Sequence, residues 1–249
     1  MLLDDIYDQL AYGELRRVVV GAGDIDSDDD GISPENFKRL LPLVKLGLTE
    51  LHKRFLLREQ EFKVELIADK VSYSLTYPFA QSNAASVEAK YINDSEETFE
   101  DNLMRIERVY GTYQQKEYLL PMNQLTNVEA VRTPRYNSLV IPSDTIAAPW
   151  LLETTSLRVV FRADHPAIAD LAANTQPGSI PIYLASPYLE PLVYYIASRA
   201  TTPQGISGEF HDGNNYSMKF EAAVAQLKEA NFDLDEDDGH FKLVSRGYP

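Results

Sequence analysis

The densest chemistry in the chain lies in GDIDSDDDGISPE, Gly23 to Glu35, where Asp24, Asp26, Asp28, Asp29 and Asp30 crowd together. Asp26, Asp28 and Asp30 take the first, third and fifth places of an EF-hand loop and Gly31 the sixth. That spacing turns three carboxylates around a hard cation while glycine makes the sharp turn. The second half of the loop departs from the pattern. The closing place, which needs a bidentate glutamate, is Phe37, and the apolar place before it is Ser33. The expectation is an acidic spacer whose end is set by Ser33–Pro34, with Asp26, Asp28 and Asp30 the remaining calcium candidate.

Four histidines are available for acid–base or metal chemistry. His52 sits beside the apolar stripe of a long helical segment and reads as a boundary residue. His165 adjoins Asp164 in RADHPAI, but consecutive residues rarely aim together at one substrate. His211 beside Asp212 resembles half of a metal-dependent phosphohydrolase signature, with no second histidine or matching carboxylate at a helical spacing. His240 lies in the tail. Ser207, in GISGE, lacks the strand that a nucleophile elbow requires. GAGD, at Gly21–Asp24, is too short to cradle phosphate, and the aspartates after it repel anions. The chain has no cysteine, which removes disulfides, thiolate catalysis and Cys-based zinc sites together. These readings predict no catalytic residue, no metal and no cofactor. The alternatives are a metal-dependent hydrolase assembled around His165 or His211, and a calcium- or peptide-binding module.

With 38 acidic and 23 basic side chains the formal charge is -15. That sign disfavours wide contact with phosphate backbones, yet suits a conduit through which nucleic acid slides without sequence-specific binding. No apolar window reaches the length needed to cross a bilayer. Asp4, Asp5 and Asp8 stand where a signal peptide would be basic, so the expectation is a soluble, cytoplasmically made protein without membrane contact. NDS at Asn93 and NYS at Asn215 match the glycosylation pattern by chance on that reading.

The elements that would position these residues follow from periodicity. Leu3, Ile6, Tyr7 and Leu10 share one face of a short helix over 2–12. Ser33 caps, and Pro34 opens, a long helix whose stripe (Phe37, Leu41, Val44, Leu48, Leu51, Phe55, Phe62) runs to about residue 62, with Pro42 expected to kink or divide it. Glu50 and Arg54 form an i,i+4 pair. Alternation then takes over, with strands expected near Val71–Tyr77, Met104–Tyr110, Glu117–Pro121, Val128–Arg132, Leu139–Ile141, Leu157–Ala163 and Ile180–Leu184. Residues 79–101 read as loop or short helix. Helical spacing returns at Leu189–Ala200, and again from a cap at Asn214 or Asn215 through Tyr216, Phe220, Ala223, Val224 and Leu227. The expected fold class is α+β: a helical bundle built from the N- and C-terminal helices with an inserted antiparallel β-rich region. Its parts are a helical body (1–62 and 186–232), a β-rich insert (63–185) and a C-terminal arm (233–249).

The stretches LLDDIYDQLAYGEL, ISPENFKRLLPLVKLGLTELHKRFLLREQEF, PLVYYIASRA and NNYSMKFEAAVAQLKEANF together give a helical frame. In this frame the chain resembles the head-to-tail adaptors of tailed bacteriophages, the head-completion or connector proteins that include the tail tubular protein A type. The resemblance implies a structural virion protein of the neck, made in the host cytoplasm and assembled as a ring, commonly of twelve subunits, that conducts DNA. Its partners would be further copies of itself, the portal protein, and a tail or nozzle protein. The C-terminal arm, with Asp233, Phe241, Leu243 and Tyr248 as interface residues, would reach the portal, and the β-rich part would meet the next tail component.

Overall fold

A computed structural model describes residues 1–14, 34–113, 116–143, 148–152, 154–169, 177–201 and 209–230. The chain divides into two compact units, one of Met1–Leu56 with His165–Pro249 and the other of Leu57–Asp164. The helical unit contains α1 (Leu3–Gln9), α2 (Pro34–Arg54), α3 (Leu189–Thr201) and α4 (Glu209–Glu229). The β unit contains β1 (Glu59–Glu65), β2 (Ser72–Ser74), β3 (Ile92–Asn93), β4 (Leu103–Tyr113), β5 (Lys116–Leu119), β6 (Arg132–Arg135), β7 (Ser138–Val140) and β8 (Ser156–Ala163).

In the helical unit, α3 packs against each of the other three helices. Its apolar face, Leu192, Val193, Ile196 and Ala197, is buried, as are Leu40, Val44, Leu48 and Leu51 of α2 and Phe220, Ala223 and Val224 of α4. Gly47 allows α2 and α3 to approach closely, since a Cβ there would stand 2.6 Å from Leu192 Cδ1. At the other end of α2, the ring of Tyr7 stacks on Phe37 at 4.7 Å and its hydroxyl donates to the Phe37 carbonyl at 3.1 Å, tying α1 to the start of α2. Asp5 accepts the Leu2 N–H at 2.7 Å, which satisfies a donor that the first turn of α1 leaves over.

The β unit holds a five-stranded antiparallel sheet in the order β3-β1-β8-β4-β5 and a three-stranded antiparallel sheet in the order β2-β7-β6. Both feed one core. Phe62, Val64, Ile106, Val109, Val159 and Phe161 enter it from the larger sheet, and Tyr73 and Leu139 from the smaller. Phe62, Phe99 and Phe161 form an aromatic cluster within it, with centroid separations of 5.1 to 5.9 Å.

This arrangement overturns the expectation of a helical bundle with an inserted antiparallel β-rich region. The described residues make a β-rich α+β protein of four α-helices and two antiparallel sheets, with the five-stranded sheet as the main one. The physical reason is that the alternating segments close a core of their own, while α1 is only 7 residues long and cannot serve as a full bundle helix.

Individual boundaries shift as well. Helix α2 ends at Arg54, and Phe62 belongs to β1, where EQEFKVE alternates between exposed and buried residues along its whole length. The stripe to residue 62 arose because Phe55 and Phe62 also lie one heptad apart. Helix α2 continues through Pro42 without division. Helix α4 begins at Glu209, ahead of both asparagines. Residues 180–184 form no strand, and the segment instead exchanges single backbone bonds with Met1 and Leu3. The strand expected at 128–132 starts at Arg132, after turns.

Candidate functional site

The described histidines are built into the helical unit. His52 is buried on α2, and its Nδ1–H donates to the Leu48 carbonyl at 2.8 Å, one turn back. The His165 ring meets it edge-on, with centroids 5.6 Å apart. His165 Nδ1–H donates to the Pro166 carbonyl at 2.7 Å, and Nε2 accepts the Tyr183 N–H at 3.1 Å. A carbonyl can only accept and an amide N–H can only donate, so these partners fix the neutral Nδ1–H tautomer. Both ring nitrogens of His165 are thereby committed to backbone groups, a positioning role for the loop around it.

His211 lies in α4, but its side chain falls outside the described residues, as do Ser207 and His240. The calcium candidates Asp26, Asp28 and Asp30, the Ser33 cap, and the interface candidates Asp233, Phe241, Leu243 and Tyr248 also lie outside them. Among the described residues no group of three or more His, Asp or Glu side chains is placed to hold a metal ion. No described helix is long and apolar enough to cross a membrane.

Among the described residues the largest charge network lies on the face of the five-stranded sheet opposite Leu157, Val159 and Phe161, a face on which Val160 and Arg162 are themselves buried. Strand β8 is central, and its alternation puts Arg158 and Arg162 on the face opposite Leu157, Val159 and Phe161. Register places β1 on one side of β8 and β4 on the other. Arg158 grips Glu117 of β5 with two bonds of 2.6 Å, from Nε and Nη2, and reaches Glu61 of β1 through Nη1 at 2.7 Å. Its guanidinium also lies over the Tyr110 ring of β4, 4.2 Å from the centroid. One side chain thus ties together four strands. The two-pronged hydrogen bond from Arg158 holds the Glu117 carboxyl below the usual glutamate range, and Glu117, followed by Glu61, raises the Arg158 guanidinium.

Two further pairs extend the lattice. Arg108 of β4 bonds Glu59 of β1 at 2.6 Å. Arg162 bonds Glu107 at 2.8 Å, and with side chains only 6% and 9% exposed this is a buried ion pair. At the end of the sheet Glu97 accepts from Arg58 at 3.1 Å and also from Gln60, whose carbonyl oxygen accepts from Asn102 at 2.5 Å.

The helical unit has a smaller version of the same joint. Arg54 closes a bidentate pair on Glu221 of α4 at 2.6 and 2.9 Å and bonds Glu50 at 2.9 Å, the i,i+4 pair expected from sequence. It also lies 4.8 Å from the centroid of the Phe220 ring. The hydrogen bonds from Arg54 lower the Glu221 carboxyl.

The alternation of LRVVFRA by itself puts Arg158 and Arg162 on one face. Their acceptors were not readable, since Glu61 and Glu117 lie 97 and 41 positions away and become neighbours only through sheet register. Chemically, these arrangements hold strands and helices in fixed register. Comparison with known proteins finds no family model that matches the chain and no curated protein that matches it.

Proposed function

We propose that this protein is a structural head-to-tail adaptor of a tailed phage, a ring-forming neck component that joins portal to tail and lets DNA pass without reading its sequence. The observation that carries the reading is the Arg158 joint. A charged sheet face whose arginines and glutamates are spent on one another suits a stiff load-bearing part better than a site that must offer free acid and base. The helical frame that resembles the adaptors supplies the direction. Its segments from both ends of the chain meet in one compact unit, with α3 touching the other three helices. The net charge of -15 is compatible with a lumen that does not retain DNA.

Co-sedimentation with portal rings tests the proposal. Full-length protein is expected to travel with the rings in a saturable amount, and His165→Ala is expected to do so equally, since both nitrogens of that ring serve the local backbone. Protein that stays in the supernatant at every concentration tried defeats the adaptor reading.

A further inference from the structure

In the helical unit, residues 180–184 form no regular element and are fastened by a few single bonds. The Leu3 N–H donates to the Ile180 carbonyl at 2.9 Å, and the Ile182 N–H donates to the Met1 carbonyl at 2.8 Å. The remaining fastening is the Tyr183 N–H, which His165 Nε2 accepts at 3.1 Å.

That acceptor can take up a proton. The Pro166 carbonyl, 2.7 Å from Nδ1, fixes the one proton of the neutral ring on that nitrogen, so Nε2 meets the Tyr183 amide with its lone pair. A second proton can enter only at Nε2, where it turns the acceptor into a donor aimed at another donor. Histidine ordinarily changes charge between about pH 5 and 8. The His165 side chain is only half-buried, so solvent can supply the proton.

We infer that His165 is a pH-sensitive latch: below neutral pH, protonation at Nε2 expels the Tyr183 N–H and loosens residues 180–184 together with their backbone bonds to Met1 and Leu3. The opening is local. Helix α1 stays fixed by its buried Leu3, Ile6 and Leu10 and by the stacking of Tyr7 on Phe37. Of titratable groups, His52 on α2 faces His165 edge-on at 5.6 Å, the Tyr183 ring lies at 6.3 Å, and Asp164 adjoins it in the chain. A charge on His52 opposes one on His165, whereas the Asp164 carboxylate favours it, so these groups move the midpoint of the latch in opposite directions. Its sign comes from the donor facing a donor: at any midpoint, the charged ring cannot accept the bond. The latch goes beyond the adaptor reading and does not depend on it.

Hydrogen–deuterium exchange of the full chain at about pH 7.5 and about pH 5.5, read by mass spectrometry, tests the latch across the range of histidine. Both conditions lie above 4.5, so the acid response of the Glu117 and Glu221 joints does not enter. With each rate divided by the intrinsic rate at its own pH, the peptide spanning 180–184 is expected to exchange at least about fivefold faster at the lower pH, and a peptide from α3 to be unchanged. Exchange of the imidazole C2–H in the same digests follows the neutral fraction of each ring, and is expected to place proton uptake by His165 in this interval. His165→Ala has no acceptor to lose, so its 180–184 peptide is expected to exchange alike in both conditions. Unchanged protection of 180–184 in the unsubstituted chain overturns the inference. So does a loss of protection that occurs while His165 stays neutral, that α3 shares equally, or that persists in His165→Ala. The two readouts on the unsubstituted chain decide the matter without the variant.

Discussion

Arg54 and Arg158 make the same kind of joint in two different settings. Each is a partly exposed arginine with a bidentate grip on one glutamate, a single bond to a second, and an aromatic ring beneath the guanidinium. In the helical unit the second glutamate, Glu50, is one turn away on the same helix, so the joint links two elements. In the β unit both glutamates and the ring come from other strands, so the joint links four. A helix satisfies its own backbone, and its side chains need only fix how helices pack. A sheet depends on neighbours for its hydrogen bonds, and its side-chain clamps also protect register. Among the described residues the β unit carries more of these pairs, including the nearly buried one between Arg162 and Glu107.

The single tryptophan, Trp150, is buried in the core of the β unit, so its fluorescence reports that unit, while helical circular dichroism reports the other. The largest effect is expected from Arg162→Ala, which removes a buried guanidinium and leaves the nearly buried Glu107 with only the exposed Arg105, 3.6 Å away. It should destabilise the fluorescence transition in denaturant by about 3–5 kcal/mol. A loss below about 1 kcal/mol, the level of a surface pair, contradicts the burial assigned to that pair.

Leu48→Ala is expected to lower the unfolding free energy read from the dichroism transition by about 2–5 kcal/mol, because Leu48 is buried on α2. A change confined to the fluorescence signal breaks the comparison by placing that residue in the wrong core. Tyr91→Phe keeps the stacking on Phe79 but strands both backbone groups of Ser74. Because Ser74 is exposed and water can take over its groups, a cost of about 0.5–1.5 kcal/mol is expected in the fluorescence transition. An unchanged midpoint shows that the β2 edge is satisfied without the hydroxyl.

The smallest effects concern acid. Arg158 holds Glu117, and Arg54 holds Glu221, below the ordinary glutamate value of 4.5. A carboxyl whose folded pKa is depressed contributes stability that is fully present above 4.5 and is lost as pH falls from there through the lower folded value. Titrating below pH 4.5 should therefore weaken both units. Glu117→Gln should flatten the acid slope of the fluorescence signal, and Glu221→Gln that of dichroism. If each substitution flattens both slopes equally, the joints are not local to their units.

Much of α1, α2 and α3 was legible, since each depends on a stripe that local periodicity displays. Strand β8 was legible through the alternation of Leu157, Val159 and Phe161. Strand β1 was not, because Phe62 satisfies a helical heptad and a strand alternation at once, and only the surrounding Glu59, Glu61, Lys63 and Glu65 on the opposite face decide for the strand. The two-sheet core was hidden for a related reason. Tyr73 and Leu139 fall in expected strands and Tyr91 in the unassigned 79–101, and only register shows that the three share one core. Of the site, the Glu50–Arg54 pair could be read because it is local. The Arg158 and Arg162 joints could not, since a sequence gives the face of an arginine and leaves its acceptor to topology.

The adaptor reading is tested most directly by negative-stain imaging of the purified protein mixed with portal rings. The expected result is a closed ring of copies seated coaxially on one face of the portal, with an open central channel. Particles that remain single copies, with portals bare at saturating protein, would contradict it.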